Sequence, residues 1–222
     1  MEINKALVVI TSASSLFGCT LATHFTRLGA NVIICDTQHS KLIESWKNCQ
    51  RLSGNIDYYA LNDHSFVSID LLFSYIVQQF NKAPDVLINH WPALPFPSLI
   101  DDKTNQHFIE QMGDITSSLF TFGQACTIRM REHQTKGVIV NVISYPECDE
   151  KSGIDTARSL VAGLTQTWGK ELTPFNIRVG GVVPMSDKHT SDSHWAEVQD
   201  ELIRNTEYIV ANDYFSGRII SA

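Results

Sequence analysis

The chain has 222 residues, enough to bury a substantial core without disulfide or metal staples. Hydrophobic residues make up 43% and charged residues 18%, a balance that excludes a disordered chain. A formal charge of −7 without any Lys/Arg cluster argues against nucleic acid or an anionic membrane surface as partner.

In chain order, the first apolar run, Ala6–Thr11, reads as a strand, and a helix follows over 17–29. Between them lies TSASSLFG, a strand-to-helix turn of the kind that cradles phosphate, with Gly18 its one glycine. Further strands are expected at Asn31–Cys35, Ile56–Ala60, Val86–Asn89, Val138–Ile143, Ile177–Val183 and Arg218–Ser221. Several are apolar throughout, as strands covered on both faces of a parallel sheet must be. Helices are expected near 38–50, 64–80, 104–132, 153–173 and 194–210, and loops at Trp91–Lys103 and Ser186–Ser193. This alternation predicts one α/β domain over 1–222, a Rossmann-like, doubly wound parallel sheet of seven strands. A ligand crevice is expected at the carboxyl ends of those strands. No run is long enough to span a bilayer, and Met1–Asn4 is not a basic leader. Five scattered cysteines without CxxC spacing suit a reducing cytoplasm.

Several stretches occur in a telling order: the opening turn, Asp36 closing the second strand, DVLINHW (85–91), GVIVNVIS (137–144), GLTQTWGKEL (163–172), NIRVGGVVP (176–184) and DYFSGRII (213–220). Together they resemble the short-chain dehydrogenase/reductase family. The resemblance implies NAD(P) binding and an Asn–Ser–Tyr–Lys set that moves a hydride and a proton. The family's turn, Thr-Gly-x-x-x-Gly-x-Gly, aligns with Thr11, Ser12 and Leu16 through Gly18. Leu16 replaces the glycine that lets backbone approach the diphosphate; a Ser-rich helix cap with a buried Leu is the structural alternative. Asp36 aligns with the acidic residue that holds the adenine ribose and would favour NAD over its phosphorylated analogue; an Asp capping the strand end is the alternative. Asn89 keeps the first position of the family's Asn-Asn-Ala-Gly, and Trp91 and Pro92 replace its last two.

The chemistry set departs further. Ser144 matches the serine that orients the substrate oxygen, but the Tyr and Lys positions fall on Ile154 and Arg158, and the helix Asn falls on Ile115. Isoleucine has no proton to give, and the Arg158 guanidinium is too basic to act as an acid. Arg158 together with the lost glycines is similar to the halohydrin dehalogenases, whose tyrosine is also missing here. Tyr145 is the phenol nearest Ser144 in sequence. His90 is a weaker candidate base, more often simply bonded to backbone. His189 and His194 beside Asp187 and Asp192 lack metal spacing, and Cys148 among carboxylates reads as inert.

Three functions are therefore expected in order. The first is a family member without dehydrogenase chemistry that binds a small molecule or assembles. The second is an atypical NAD-dependent oxidoreductase using Ser144, Arg158 and either Tyr145 or His90. The third is a nucleotide-free, dehalogenase-like lyase. The resemblance also implies a homodimer or homotetramer through 104–132 and 153–173, where Leu160, Val161, Leu164 and Trp168 form a stripe.

Overall fold

A computed structural model describes residues 1–51, 55–92, 96–97, 105–144, 154–185 and 192–222. Seven strands form one parallel sheet: β1 (Leu7–Ile10), β2 (Asn31–Asp36), β3 (Ile56–Ala60), β4 (Val86–Pro92), β5 (Val138–Ser144), β6 (Arg178–Val183) and β7 (Arg218–Ser221). Their order is β3-β2-β1-β4-β5-β6-β7. The chain winds outward from β1 to β3, returns beside β1 as β4, and winds the other way. The direction thus reverses between β1 and β4, which is where such sheets open a crevice.

Strand alternation sends successive side chains to opposite layers. Val8, Ile10, Val86, Ile88, Val140 and Val142 meet α1 (Leu16–Arg27), α2 (His39–Gln50) and α6 (Asp192–Ala211). Leu7, Val9, Leu87, Ile139 and Ile143 meet α3 (Phe66–Phe80), α4 (Asn105–Glu132) and α5 (Ile154–Leu172). Both faces of the central strands are therefore dry, which explains why their sequences are apolar without alternation. Burial of these aliphatic groups, at about 25 cal/mol per Å² of apolar surface, is the main force holding the two helical layers to the sheet.

Two boundaries and one burial differ from the sequence expectation. β4 does not stop at Asn89: His90, Trp91 and Pro92 continue it, pairing with Val142, Ile143 and Ser144 of β5. Trp91 buries its ring against Phe96, and Pro92, which has no amide to donate onward, ends the ladder. The second expected loop gives way to α6, which begins at Asp192. Leu16 is not buried: it is 72% exposed, because the first turn of α1 turns Phe17 and Gly18 inward instead.

Candidate functional site

The opening turn is built from serines. Ser12 sits in the left-handed region at φ 49°, the conformation that a glycine would take at no cost. Its carbonyl accepts the Ser15 hydroxyl at 2.9 Å, and Ser15 caps α1 by accepting the Gly18 amide at 3.0 Å. Gly18 is obligatory: a Cβ there would lie 2.6 Å from the Ser12 carbonyl oxygen and 2.8 Å from Ala13 Cα. The cap therefore exists, but with an exposed rather than a buried Leu16. The amides of Leu16 and Phe17, in the first turn of α1, have no carbonyl within the helix to receive them.

Asp36 stands across the turn, 7% exposed. One carboxylate oxygen accepts the Ser14 hydroxyl at 2.6 Å and the Ser14 amide at 3.1 Å; the other accepts the Gln38 amide at 3.1 Å. It thus fastens the end of β2 to the β1–α1 turn, the structural role weighed for it above. Thr11 is another fastener: its hydroxyl donates to the His90 carbonyl at 3.0 Å and accepts the His90 amide at 2.9 Å, joining β1 to β4 at the switch point.

Asn89 is fully buried and turned toward the α4 layer. Its amide donates to the Leu119 carbonyl at 2.8 Å and to Asn141 at 3.3 Å, and Asn141 donates to Thr165 of α5 at 3.2 Å. Asn89 Oδ1 has no partner. Ile115, at the helix-Asn position, is wholly buried in the same layer, with exposed Asp114 beside it.

His90, weighed in the sequence as a base against a backbone-bonded histidine, stands beside Ser144. Its Nε2 lies 2.8 Å from Ser144 Oγ, and both residues are 2% exposed. The register explains the meeting: His90 is opposite Val142, and Ser144 follows two residues on, pointing to the same face. Phe17 of α1 covers the imidazole at 5.2 Å between ring centroids. Burial pulls the His90 pKa down to about 4, partly countered by the backbone of Ser12 and Thr11 and by the charge of Asp36. The ring is therefore neutral at pH 7. Nδ1 has no well-formed hydrogen bond and no carboxylate partner. That absence separates the pair from a hydrolase triad, in which a buried carboxylate fixes the imidazole.

Neutral imidazole and hydroxyl together form a short proton path. With its proton on Nε2, His90 donates to Ser144 Oγ and leaves the Ser144 hydrogen free for an oxygen in the crevice. With the proton on Nδ1, Nε2 instead accepts from Ser144.

Arg158 donates through Nη2 to Ser221 Oγ of β7 at 2.8 Å. Tyr145, Cys148, His189, Asp187 and the side chains of Ile154, Asp192 and His194 lie outside the described residues. No group of three metal-ligating side chains occurs among the described residues. No described helix is long and apolar enough to cross a membrane.

Comparison with known proteins matches this arrangement to one family. The family model described as short chain dehydrogenase matches residues 6–194. A 3-oxoacyl-[acyl-carrier-protein] reductase of Thermotoga maritima is 28% identical over 187 residues, covering 83% of this chain and 75% of the relative. A sorbitol-6-phosphate 2-dehydrogenase of Klebsiella pneumoniae is 24% identical over 195 residues, 83% of this chain and 70% of the relative. The crystal structure of a short chain dehydrogenase from Bacillus anthracis superposes with a TM-score of 0.81 at 22% identity, covering 99% of this chain and 96% of that one. With the family's model matching residues 6–194, the chain belongs to the short chain dehydrogenase family.

Proposed function

We propose that the protein is an atypical NAD(H)-dependent oxidoreductase of its family, in which the Ser144–His90 pair handles the proton that a tyrosine would otherwise carry. The single observation behind this reading is the 2.8 Å contact between Nε2 and Oγ, buried at the carboxyl ends of the two strands beside the switch point. The dinucleotide, when bound, would supply or accept the hydride. The free first-turn amides of α1 would hold its diphosphate, and Asp36 its adenine ribose. Ser144 would hold the substrate oxygen and pass it a proton, drawing a replacement from Nε2. The named activities of the reductase and dehydrogenase relatives support oxidoreduction as the reaction class.

The test combines titration calorimetry with NAD and NADH at millimolar concentration and an assay of NAD(H)-linked turnover of alcohols and carbonyls. Saturable binding with turnover supports the reading, and absence of binding refutes it.

A second reading, a family member that binds a ligand without redox chemistry, is favoured by three features. Leu16 stands at the head of α1, Asp36 is already engaged by Ser14 and Gln38, and Ile115 replaces the helix Asn. Binding of NAD without turnover would select it. A dehalogenase-like lyase would need its arginine beside Ser144, and the Arg158 guanidinium is bonded to Ser221 instead.

Assembly and location form part of the same proposal. Val161 and Trp168 of the α5 stripe belong to the core, whereas Leu164 lines an open groove with Thr116, Ser117 and Phe120 of α4. Phe120 is 48% exposed there, a large apolar group suited to contact with a second copy in a homodimer or homotetramer. Free thiols at Cys19, Cys35, Cys49 and Cys126 fit a reducing cytoplasm.

A further inference from the structure

The two helices that lean on the nucleotide-side face of the sheet are joined by a contact that the reaction does not use. Cys19 of α1 and Cys49 of α2 face each other with their sulfurs 3.6 Å apart. The Thr23 hydroxyl lies 3.3 Å from Cys49 Sγ and donates to the Cys19 carbonyl at 3.0 Å. Cys49 Sγ in turn donates to that carbonyl at 3.6 Å. Cys19 is partly exposed and Cys49 is buried. The other two described cysteines, Cys35 and Cys126, are fully buried in the opposite layer.

We propose that Cys19 and Cys49 form a peroxide-sensitive thiol pair that closes into a disulfide between α1 and α2. Separation is the first argument. Non-bonded sulfurs at 3.6 Å must approach to about 2.05 Å, a movement within the reach of side-chain rotation and small helix adjustment. Access is the second: one member meets solvent and the other waits behind it, the arrangement of an attacking and a resolving thiol. Acidity agrees with both. The hydrogen bond from Cys19 pulls the Cys49 thiol down to about 6, and the same sharing with burial pushes Cys19 upward, so the pair surrenders one proton near neutral pH.

The oxidant is hydrogen peroxide. The thiolate of the pair attacks one peroxide oxygen, the O–O bond breaks and hydroxide leaves, giving a sulfenic acid. The partner thiol then attacks that sulfur, the S–O bond breaks, and the sulfenic oxygen departs as water with the partner's proton. Two electrons pass from the two sulfurs to the peroxide. Because Cys19 lies on the first turns of α1, behind Ser15 and Leu16, closure draws the head of that helix toward α2. Any effect on dinucleotide affinity rests on the proposed oxidoreductase function, whereas disulfide formation does not.

The experiment treats the reduced full chain with a few equivalents of hydrogen peroxide, alkylates the remaining thiols and maps peptides without reduction. A Cys19–Cys49 linked peptide is expected, reversed by dithiothreitol, with Cys35 and Cys126 recovered as alkylated thiols. Neither C19S nor C49S should yield a linked peptide, and the remaining thiol of the pair should be trapped by dimedone as a sulfenic acid in at least one of them. The linked form should also melt at higher temperature than the reduced form. Recovery of Cys19 and Cys49 as thiols after the peroxide is consumed, or their pairing only with Cys148, overturns the proposal. NAD affinity measured on both forms is a separate readout, and its failure would leave the disulfide result standing.

Discussion

Ser144 Oγ and His90 Nε2 meet at 2.8 Å across adjacent strands, both side chains buried. Among the described residues neither side chain hydrogen-bonds an ionised group, so each defines the role of the other. If they act as one proton path, their removal must be non-additive. S144A and H90Q should each lower kcat for NAD(H)-linked turnover by about 10²–10⁴-fold, the usual worth of a positioned acid or base. The double variant should be little worse than either single one. Losses that multiply instead would mean that the two residues act independently.

The same histidine makes a stability prediction. Its folded pKa, about 4, lies below its unfolded value near 6.5, so between these limits the unfolded chain binds more protons. The contribution of neutral His90 is complete above pH 6.5 and is lost as pH falls toward 4. Its size is about 3 kcal/mol, from roughly 1.4 kcal/mol per unit. Urea denaturation of the parent chain and H90Q at pH 7 and pH 4.5 should show a smaller acid loss in the variant. Equal losses in both would show that the imidazole is not buried neutral.

How far the sequence foretold this site depends on how local each signal was. Seven strands and six helices were legible, because β-branched runs and amphipathic stretches report burial directly, and six of the strands fell within a residue of their expected ends at both termini. Family membership was legible from motifs in order, and the match over residues 6–194 agrees. The end of β4 was not, since Trp91 and Pro92 look like loop residues until Phe96 and Ser144 are seen beside them. The buried alternative for Leu16 failed because hydrophobicity does not say which way the first residue of a helix points. The Ser144–His90 contact needed strand register: two polar residues of equal parity on neighbouring strands were visible, but nothing local set their alignment.

Gly18 tests the geometry of the turn. G18A would set a methyl against the Ser12 carbonyl and Ala13 Cα, both backbone and unable to swing aside. A cost of about 1–3 kcal/mol is expected, as for other overpacked sites. At roughly 2–4 °C per kcal/mol for a chain of this size, calorimetry should record a clear fall in melting temperature. By contrast, S12G relieves a left-handed serine and should raise the melting temperature slightly. A neutral G18A would show that α1 does not pack on this turn as described.

The groove between α4 and α5 predicts assembly. F120E places a carboxylate where Phe120 is exposed beside Thr116, Ser117 and Leu164. If a second copy covers that face, sedimentation should show the parent chain as an oligomer and the variant as a monomer, with the fold retained by circular dichroism. An unchanged sedimentation coefficient would place any contact elsewhere.

Leu16 separates the two functional readings. Its side chain is 72% exposed at the first residue of α1, so L16G removes little packing and should cost no more than about 1 kcal/mol. What it changes is access to the amides at the head of the helix, where a diphosphate would lie. If the leucine merely crowds a working crevice, L16G should tighten NAD binding by about tenfold, equivalent to about 1.4 kcal/mol, with turnover rising at subsaturating NAD. If the crevice no longer accepts a dinucleotide, because Asp36 is held by Ser14 and Gln38, affinity should stay immeasurable in L16G and its S12G combination alike. Calorimetry on the three proteins decides between an enzyme with an obstructed cradle and a binding protein that kept only the shape.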